Sequence, residues 1–144
     1  MLCVDVNVLV DAFLQDAAAH EAAFGWLDSA CDGTEPVLVT TGVAAAFVRV
    51  VTNRRLWKVP ASPDAALAFI AALETSPVFR WHQPGQPCWG IFTTLVSDLR
   101  LSGNDIPDAY LAATALEAGA TLVTSDRGFT RFRSLRLLDP TATA

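Results

Sequence analysis

Three aspartates stand where a carboxylate needs a reason. Asp5 interrupts an apolar run, LCVDVNVLV, over residues 2–10. A charge within a buried hydrophobic strand is costly unless it is paired or metal-bound. Asp108 falls in the first turn of a helix read from IPDAYLAATALEAG, where the helix dipole favours an acid. Asp126 follows the β-rich run TLVT, residues 121–124. Ligands of open α/β sheets bind beyond the carboxyl ends of the strands, so these three acids are expected to converge on one sheet edge. Carboxylates held close either raise a pKa or hold a cation. Oxygen donors without a Cys or His cluster suit Mg²⁺ or Mn²⁺ rather than zinc. Magnesium binds through a few carboxylates plus phosphate oxygens and keeps several waters. The chemistry implied is attack of water on a phosphate ester.

The elements that must position these acids can be read in order. A buried strand begins at residue 2, with Asp5 at its carboxyl end. A competing reading makes Asp5 only the cap of a following helix. Asn7 is expected to be an N-cap or turn residue, its amide within reach of a ligand or a carboxylate. Residues 20–31 predict an amphipathic helix with Ala23, Phe24, Leu27 and Cys31 on one face. His20, near its start, reads as a surface or capping residue. Residues 37–39 predict a strand, and Thr40 or Thr41 caps a helix running to about residue 53. Ser62-Pro63 opens another helix through residue 73, with Leu67, Ile70 and Leu73 facing inward. Residues 78–82 predict a third strand, with His82 as a partly buried edge residue, and 88–101 a further helix. Pro107 suits a first helical turn, and Gly119 is placed for a left-handed cap. A short helical turn over 128–132 and a strand over 135–138 complete the pattern. This alternation predicts a three-layer α/β/α domain with a mainly parallel sheet. Residues 1–144 read as a single domain, with a short tail over about 140–144.

Composition narrows the class. The chain is 52% hydrophobic and 17% charged, a balance that folds rather than stays disordered. Cys3, Cys31 and Cys88 are scattered and odd in number, with no zinc spacing and no disulfide framework. A reducing compartment, hence the cytoplasm, is expected. The N-terminus carries acids and lacks a basic leader, so it reads as neither signal peptide nor membrane span. Net charge is −5, against a generally basic nucleic-acid binder. Yet Arg49, Arg54, Arg55 and Lys58 form one cluster, and Arg127, Arg131, Arg133 and Arg136 another. These are eight of the ten Lys and Arg, and such patches can guide a polyanion to an acidic centre. No phosphate-binding glycine loop and no nucleophile elbow is present. Trp26, Trp57, Trp81 and Trp89 supply aromatic mass for core and interface, most of it expected in the core.

Four stretches carry a family resemblance. Asp5-Val6-Asn7, the segment FVRVVTN over 47–53, NDIPDA over 104–109 with Leu111, Ala112 and Ala113, and TSDRGF over 124–129 together resemble the PIN domain. More narrowly they resemble the VapC-type toxins of bacterial toxin–antitoxin pairs, in order and over nearly the whole chain. The resemblance implies an endoribonuclease dependent on Mg²⁺, with Mn²⁺ as substitute, acting on RNA and neutralised by a cognate VapB-type antitoxin. It also implies a homodimer. Asp5, Asp108 and Asp126 match the acidic, metal-holding positions; Asn7 and Ser125 match polar positions beside them, and Asp105 lies nearby. One residue departs. Ala46 stands where the family usually carries a glutamate, and a methyl group neither binds metal nor orients water. This implies weakened metal binding and little cleavage, with fold and antitoxin binding kept. A non-catalytic RNA- or antitoxin-binding module of the same fold is the alternative. A haloacid-dehalogenase-type phosphatase ranks last, since Asn7 replaces the second acid that chemistry needs.

Overall fold

A computed structural model describes residues 1–142. Its centre is a five-stranded sheet in the order β3-β2-β1-β4-β5, with every neighbouring pair parallel. The strands are β1 (Leu2–Val4), β2 (Val37–Thr40), β3 (Phe79–His82), β4 (Thr121–Val123) and β5 (Leu137–Leu138). Strand β1 pairs with β2 on one side and β4 on the other, and the chain order reverses there. That reversal opens a crevice outside the carboxyl ends of β1 and β4.

Both sheet faces are covered. Val4, Val37, Val39 and Val123 pack with residues of α1 (Val6–Phe13), α2 (His20–Cys31), α3 (Thr41–Val51) and α4 (Pro63–Glu74). The alternate residues Cys3, Leu38 and Leu122 pack against α5 (Pro87–Leu99) and α6 (Ile106–Glu117). Successive strand side chains point to opposite faces, so apolar strands need helices on both. The three-layer architecture expected from the sequence is therefore realised. On one side Phe47 forms the centre, meeting Phe13 edge-on at 5.4 Å between centroids and Phe69 at 5.3 Å.

Local signals explain most boundaries. Thr40 caps α3 by accepting from the Val43 N–H, and Ser62 caps α4 through the Ala65 N–H. Gly119 has φ +63°, the left-handed conformation expected of it after α6. Other details differ from expectation. Strand β1 ends at Val4, because Asp5 caps α1 and turns the apolar run from strand into helix, burying Val8, Leu9 and Ala12 at helical spacing. Leu67 is 56% exposed; Ala66 and Ile70, four residues apart, form the buried stripe of α4 instead. The tryptophans are not mostly core: half-buried Trp26 packs against it, Trp57 is half-buried, and Trp81 and Trp89 are exposed. The end of the expected tail, residues 143–144, lies outside the described residues.

Candidate active site

Asp5 is the most constrained acid. It sits one residue past β1, its own N–H still bonded to the Val123 carbonyl at 3.0 Å. Its side chain is only 6% exposed. Oδ1 accepts from the Val6 N–H at 2.6 Å, capping α1. Oδ2 accepts from the Thr124 hydroxyl at 2.7 Å and from the Asn7 amide at 3.1 Å. The two sequence readings of Asp5, crevice acid and helix cap, are thus one arrangement. Burial raises its pKa above the ordinary 3.8. The Thr124 and Val6 hydrogen bonds oppose that rise, and the charges of Asp108 and Asp126 add to it.

Thr124 is the hub that sequence reasoning passed over. It is buried just beyond β4. Its hydroxyl donates to Asp5 and accepts from the Asn7 amide at 3.0 Å and from the Asp126 N–H at 3.0 Å. One side chain therefore fixes β1's acid, α1's amide and the loop bearing Ser125 and Asp126. A threonine in a β-rich run is unremarkable, so only the 119-residue contact reveals its role. Asn7 lies in the first turn of α1, and its Oδ1 is buried without a hydrogen-bond partner among the described residues.

Asp108 lies in the first turn of α6, behind Pro107. Its Oδ2 accepts from Arg131 Nη2 at 2.8 Å, while Arg131 Nη1 donates to Asp105 Oδ1 at 2.9 Å. The guanidinium also lies 5.1 Å from the centre of the Phe132 ring. Burial raises the Asp108 pKa first; Arg131 opposes the rise, while Asp126 and Asp105 reinforce it. Asp126 is exposed and caps the 3₁₀ turn Arg127–Arg131, accepting from the Gly128 N–H at 2.7 Å. With Ser125 it lines a shallow concavity of about 430 Å³.

Asp5 and Asp108 line one cavity of about 270 Å³, together with Thr40, Val43, Ala46 and Tyr110. Ala46 therefore belongs to the same wall as the two acids. Among the described residues, no three Asp, Glu, His or Cys side chains are disposed to hold a metal ion together. The reason is local. Asp5 is turned into Asn7 and Thr124, Asp108 toward Arg131, and Asp126 onto its own turn. The donors present still fit a hydrated hard cation. Of about four acceptor positions on a carboxylate, Asp5 uses three, and Asp108 keeps Oδ1 outside the Arg131 pair. An all-oxygen set with room for water is what magnesium takes.

The basic residues divide. Arg131, grouped by sequence with a surface patch, is half-buried between Asp105 and Asp108. Arg49, Arg54, Arg55, Lys58 and Arg127 are exposed. Arg54, Arg55 and Lys58 follow the end of α3, roughly 16 Å of helix beyond Thr40. His20 is neither surface residue nor cap as expected: it is half-buried in the first turn of α2 behind the cap position Ala19, with Nδ1 3.0 Å from the Asp11 carbonyl of α1. His82 ends edge strand β3, half-buried as expected.

Comparison with known proteins places this arrangement. The PIN domain family model matches residues 2–135. A VapC ribonuclease of Mycobacterium bovis, Mb2897, is 46% identical over 140 residues, covering 97% of this chain and 95% of the relative. Ribonuclease VapC25 of Mycobacterium tuberculosis is 35% identical, covering 97% and 99%. Among solved structures, VapBC2 of Rickettsia felis, bound to a fragment of its promoter DNA, superposes with a TM-score of 0.72 at 18% identity, covering 95% and 96%. FitAcB of Neisseria gonorrhoeae superposes with a TM-score of 0.68 at 22% identity, covering 97% and 98%. The family match and these likenesses agree: the chain belongs to the PIN-domain family, among the VapC ribonucleases.

Proposed function

We propose that this chain is an endoribonuclease toxin that hydrolyses RNA phosphodiesters with a divalent ion, Mg²⁺ or in its place Mn²⁺. The observation that carries the reading is the shared cavity of Asp5 and Asp108 at the carboxyl edge of the sheet. Asp5 and Asp108, which line one cavity, would hold the ion, and Asp126 would add negative charge from the loop after β4. Such an ion supplies a polarised phosphoryl oxygen and a water of lowered pKa. The chain's own residues provide geometry. Asn7 and Thr124 fix the Asp5 rotamer, Ser125 carries the Asp126 loop, and Asp105 shares Arg131 with Asp108. Arg49, Arg54, Arg55, Lys58 and Arg127 are free to meet RNA phosphates, while Arg131 serves the acids first. Ala46 weakens the centre by leaving a methyl group on the cavity wall.

An antitoxin protein of the VapB type is the expected partner, supported by the toxin–antitoxin complexes among the structural neighbours. We also assign a homodimer and a cytoplasmic location. Among the described residues no helix is long and apolar enough to cross a membrane. All these roles belong to one domain, residues 1–144.

The test is RNA cleavage by this chain and by Ala46→Glu, each with Mg²⁺, Mn²⁺ or EDTA. Ion-dependent cleavage that is stronger in the Ala46→Glu protein supports the reading. Equal cleavage by both removes the role given to Ala46. If neither cuts and calorimetry detects no ion binding, the alternative stands: a non-catalytic RNA- or antitoxin-binding module. The observation favouring that alternative is the absence, among the described residues, of three acids closed around one point.

A further inference from the structure

The acid cavity does not end at Asp108. Tyr110, two residues on, lines it and also lines a second cavity of about 340 Å³. Thr40 and Gly42 belong to both cavities, and Thr41, His82 and Gln83 complete the second. Two carboxylates and a neighbouring chamber thus share one wall, and the aromatic ring stands on it. Tyr110 is 48% exposed although it belongs to the helix that carries Asp108. Among the described residues its only ring neighbour is Phe92, in a T-shaped contact at 6.1 Å between centroids and 76° between planes. An edge-to-face contact steadies a ring without covering both its faces.

We infer that Tyr110 is a stacking platform for the nucleobase adjoining the phosphodiester held at the acids, in single-stranded RNA. Every base offers a π face, and stacking on an exposed aromatic ring is the sequence-tolerant way to hold one. The hydroxyl of Thr41 and the amide of Gln83 offer donors and acceptors to the edges of a base in the second cavity. The chamber beside Tyr110 sets Thr40, Thr41, His82 and Gln83 next to Gly42 and Pro84, so it offers a base both hydrogen-bonding groups and apolar contact. Paired bases stay stacked within a duplex, so the platform selects unpaired or splayed nucleotides. Tyr110 is then a positioning residue: it sets which phosphodiester meets the acids and touches no reacting atom.

This inference rests on the ribonuclease reading, and the experiment separates the two. Binding of a fluorescently labelled single-stranded oligoribonucleotide is measured in EDTA for the full chain, Tyr110→Phe and Tyr110→Ala. Light scattering follows the oligomeric state of each. Tyr110→Phe is expected to bind as the parent does, and Tyr110→Ala roughly tenfold more weakly at unchanged oligomeric state. A duplex of the same sequence is expected not to compete. Equal binding by the parent and Tyr110→Ala overturns the stacking role and leaves the ribonuclease reading intact. Loss of a dimer in Tyr110→Ala also overturns it, assigning the ring to self-association. Absence of RNA binding by all three, with no cleavage under Mg²⁺ or Mn²⁺, overturns both.

Discussion

Arg131 Nη2 donates to Asp108 Oδ2 across 2.8 Å, so an acid of the candidate centre already has a cation beside it. The guanidinium reaches Asp105 with its other terminal nitrogen and leans on Phe132, which gives it a defined place. A divalent ion arriving between Asp5 and Asp108 has to compete with this charge. Arg131→Ala is therefore expected to tighten Mn²⁺ binding several-fold. It also removes two partly exposed ion pairs, each worth at most about 1 kcal/mol in such a setting. Calorimetric titration with Mn²⁺ and thermal denaturation in EDTA check the two halves. Weaker ion binding in the variant would mean that Arg131 holds Asp108 in place for the ion rather than competing with it.

Asp5 makes stability depend on pH. Its folded-state pKa is raised above 3.8, chiefly by burial. Between the unfolded and the raised value the native chain holds more protons than the unfolded one. Stability therefore falls as pH rises through that window, and the cost of the buried charge persists above it. Asp5→Asn keeps an oxygen for the Val6 N–H and discards the charge. It is expected to flatten the slope just above pH 3.8 and to abolish cleavage, while its amide nitrogen, unable to accept from Thr124 and Asn7 as Oδ2 does, offsets the gain from removing the charge at pH 7. Asp5→Ala loses the cap, about 1 kcal/mol, and strands the Thr124 and Asn7 donors, so it is expected to melt lower. Denaturation curves for the three proteins from pH 3 to 7 decide this, because the difference from the parent isolates Asp5 from the similarly raised Asp11 and Asp108.

The Thr124 hydroxyl joins three partners, which makes its removal more damaging than one lost hydrogen bond. Thr124→Val keeps the shape and deletes the hydroxyl. Asp5 Oδ2 and the Asn7 amide keep each other while the Asp126 N–H loses its partner, so the expected loss is about 1 to 2 kcal/mol. Thr124→Ser keeps the hydroxyl and is expected to lose less. Urea denaturation distinguishes them, and equal stabilities for Val and Ser variants would remove Thr124 from the centre of the network.

What the sequence disclosed and what it hid follow from the range of each interaction. Caps, proline positions and the φ of Gly119 are set within a few residues, so Thr40, Ser62, Pro107 and Gly119 were readable. The strand-end position of Asp5 and the helix-start position of Asp108 were legible because a carboxylate is conspicuous against apolar neighbours, whereas the sequence could not show that Asp126 turns onto its own 3₁₀ turn in a separate concavity. Thr124 and Arg131 were not, since their roles depend on partners 119 and 23 residues away. An arginine in a run of arginines looks like a surface patch until the fold brings Asp108 beneath it. Leu67 misled for a related reason. Hydropathy marks a residue as apolar, but the neighbouring small Ala66 took the inward position of α4.

Ala46 offers the sharpest test of the acid cavity apart from catalysis. It lies on the same wall as Asp5 and Asp108, partly exposed and inside α3. Glutamate is a good helix former, so Ala46→Glu costs the helix itself only a few tenths of a kcal/mol. The larger effect is electrostatic, because another carboxylate joins a cavity where the charges of neighbouring aspartates already raise the pKa values of Asp5 and Asp108. In EDTA the Ala46→Glu protein is expected to melt below the parent. With Mn²⁺ in excess the order should reverse, since an ion that binds only the folded chain stabilises it by about 2.7 kcal/mol at a hundredfold excess over Kd. For a domain of this size that is a shift of several degrees. Melting curves of both proteins, with EDTA and across a Mn²⁺ series, read this without any substrate. A variant that melts lower in EDTA and gains no more from Mn²⁺ than the parent would show that a side chain at position 46 does not reach the ion.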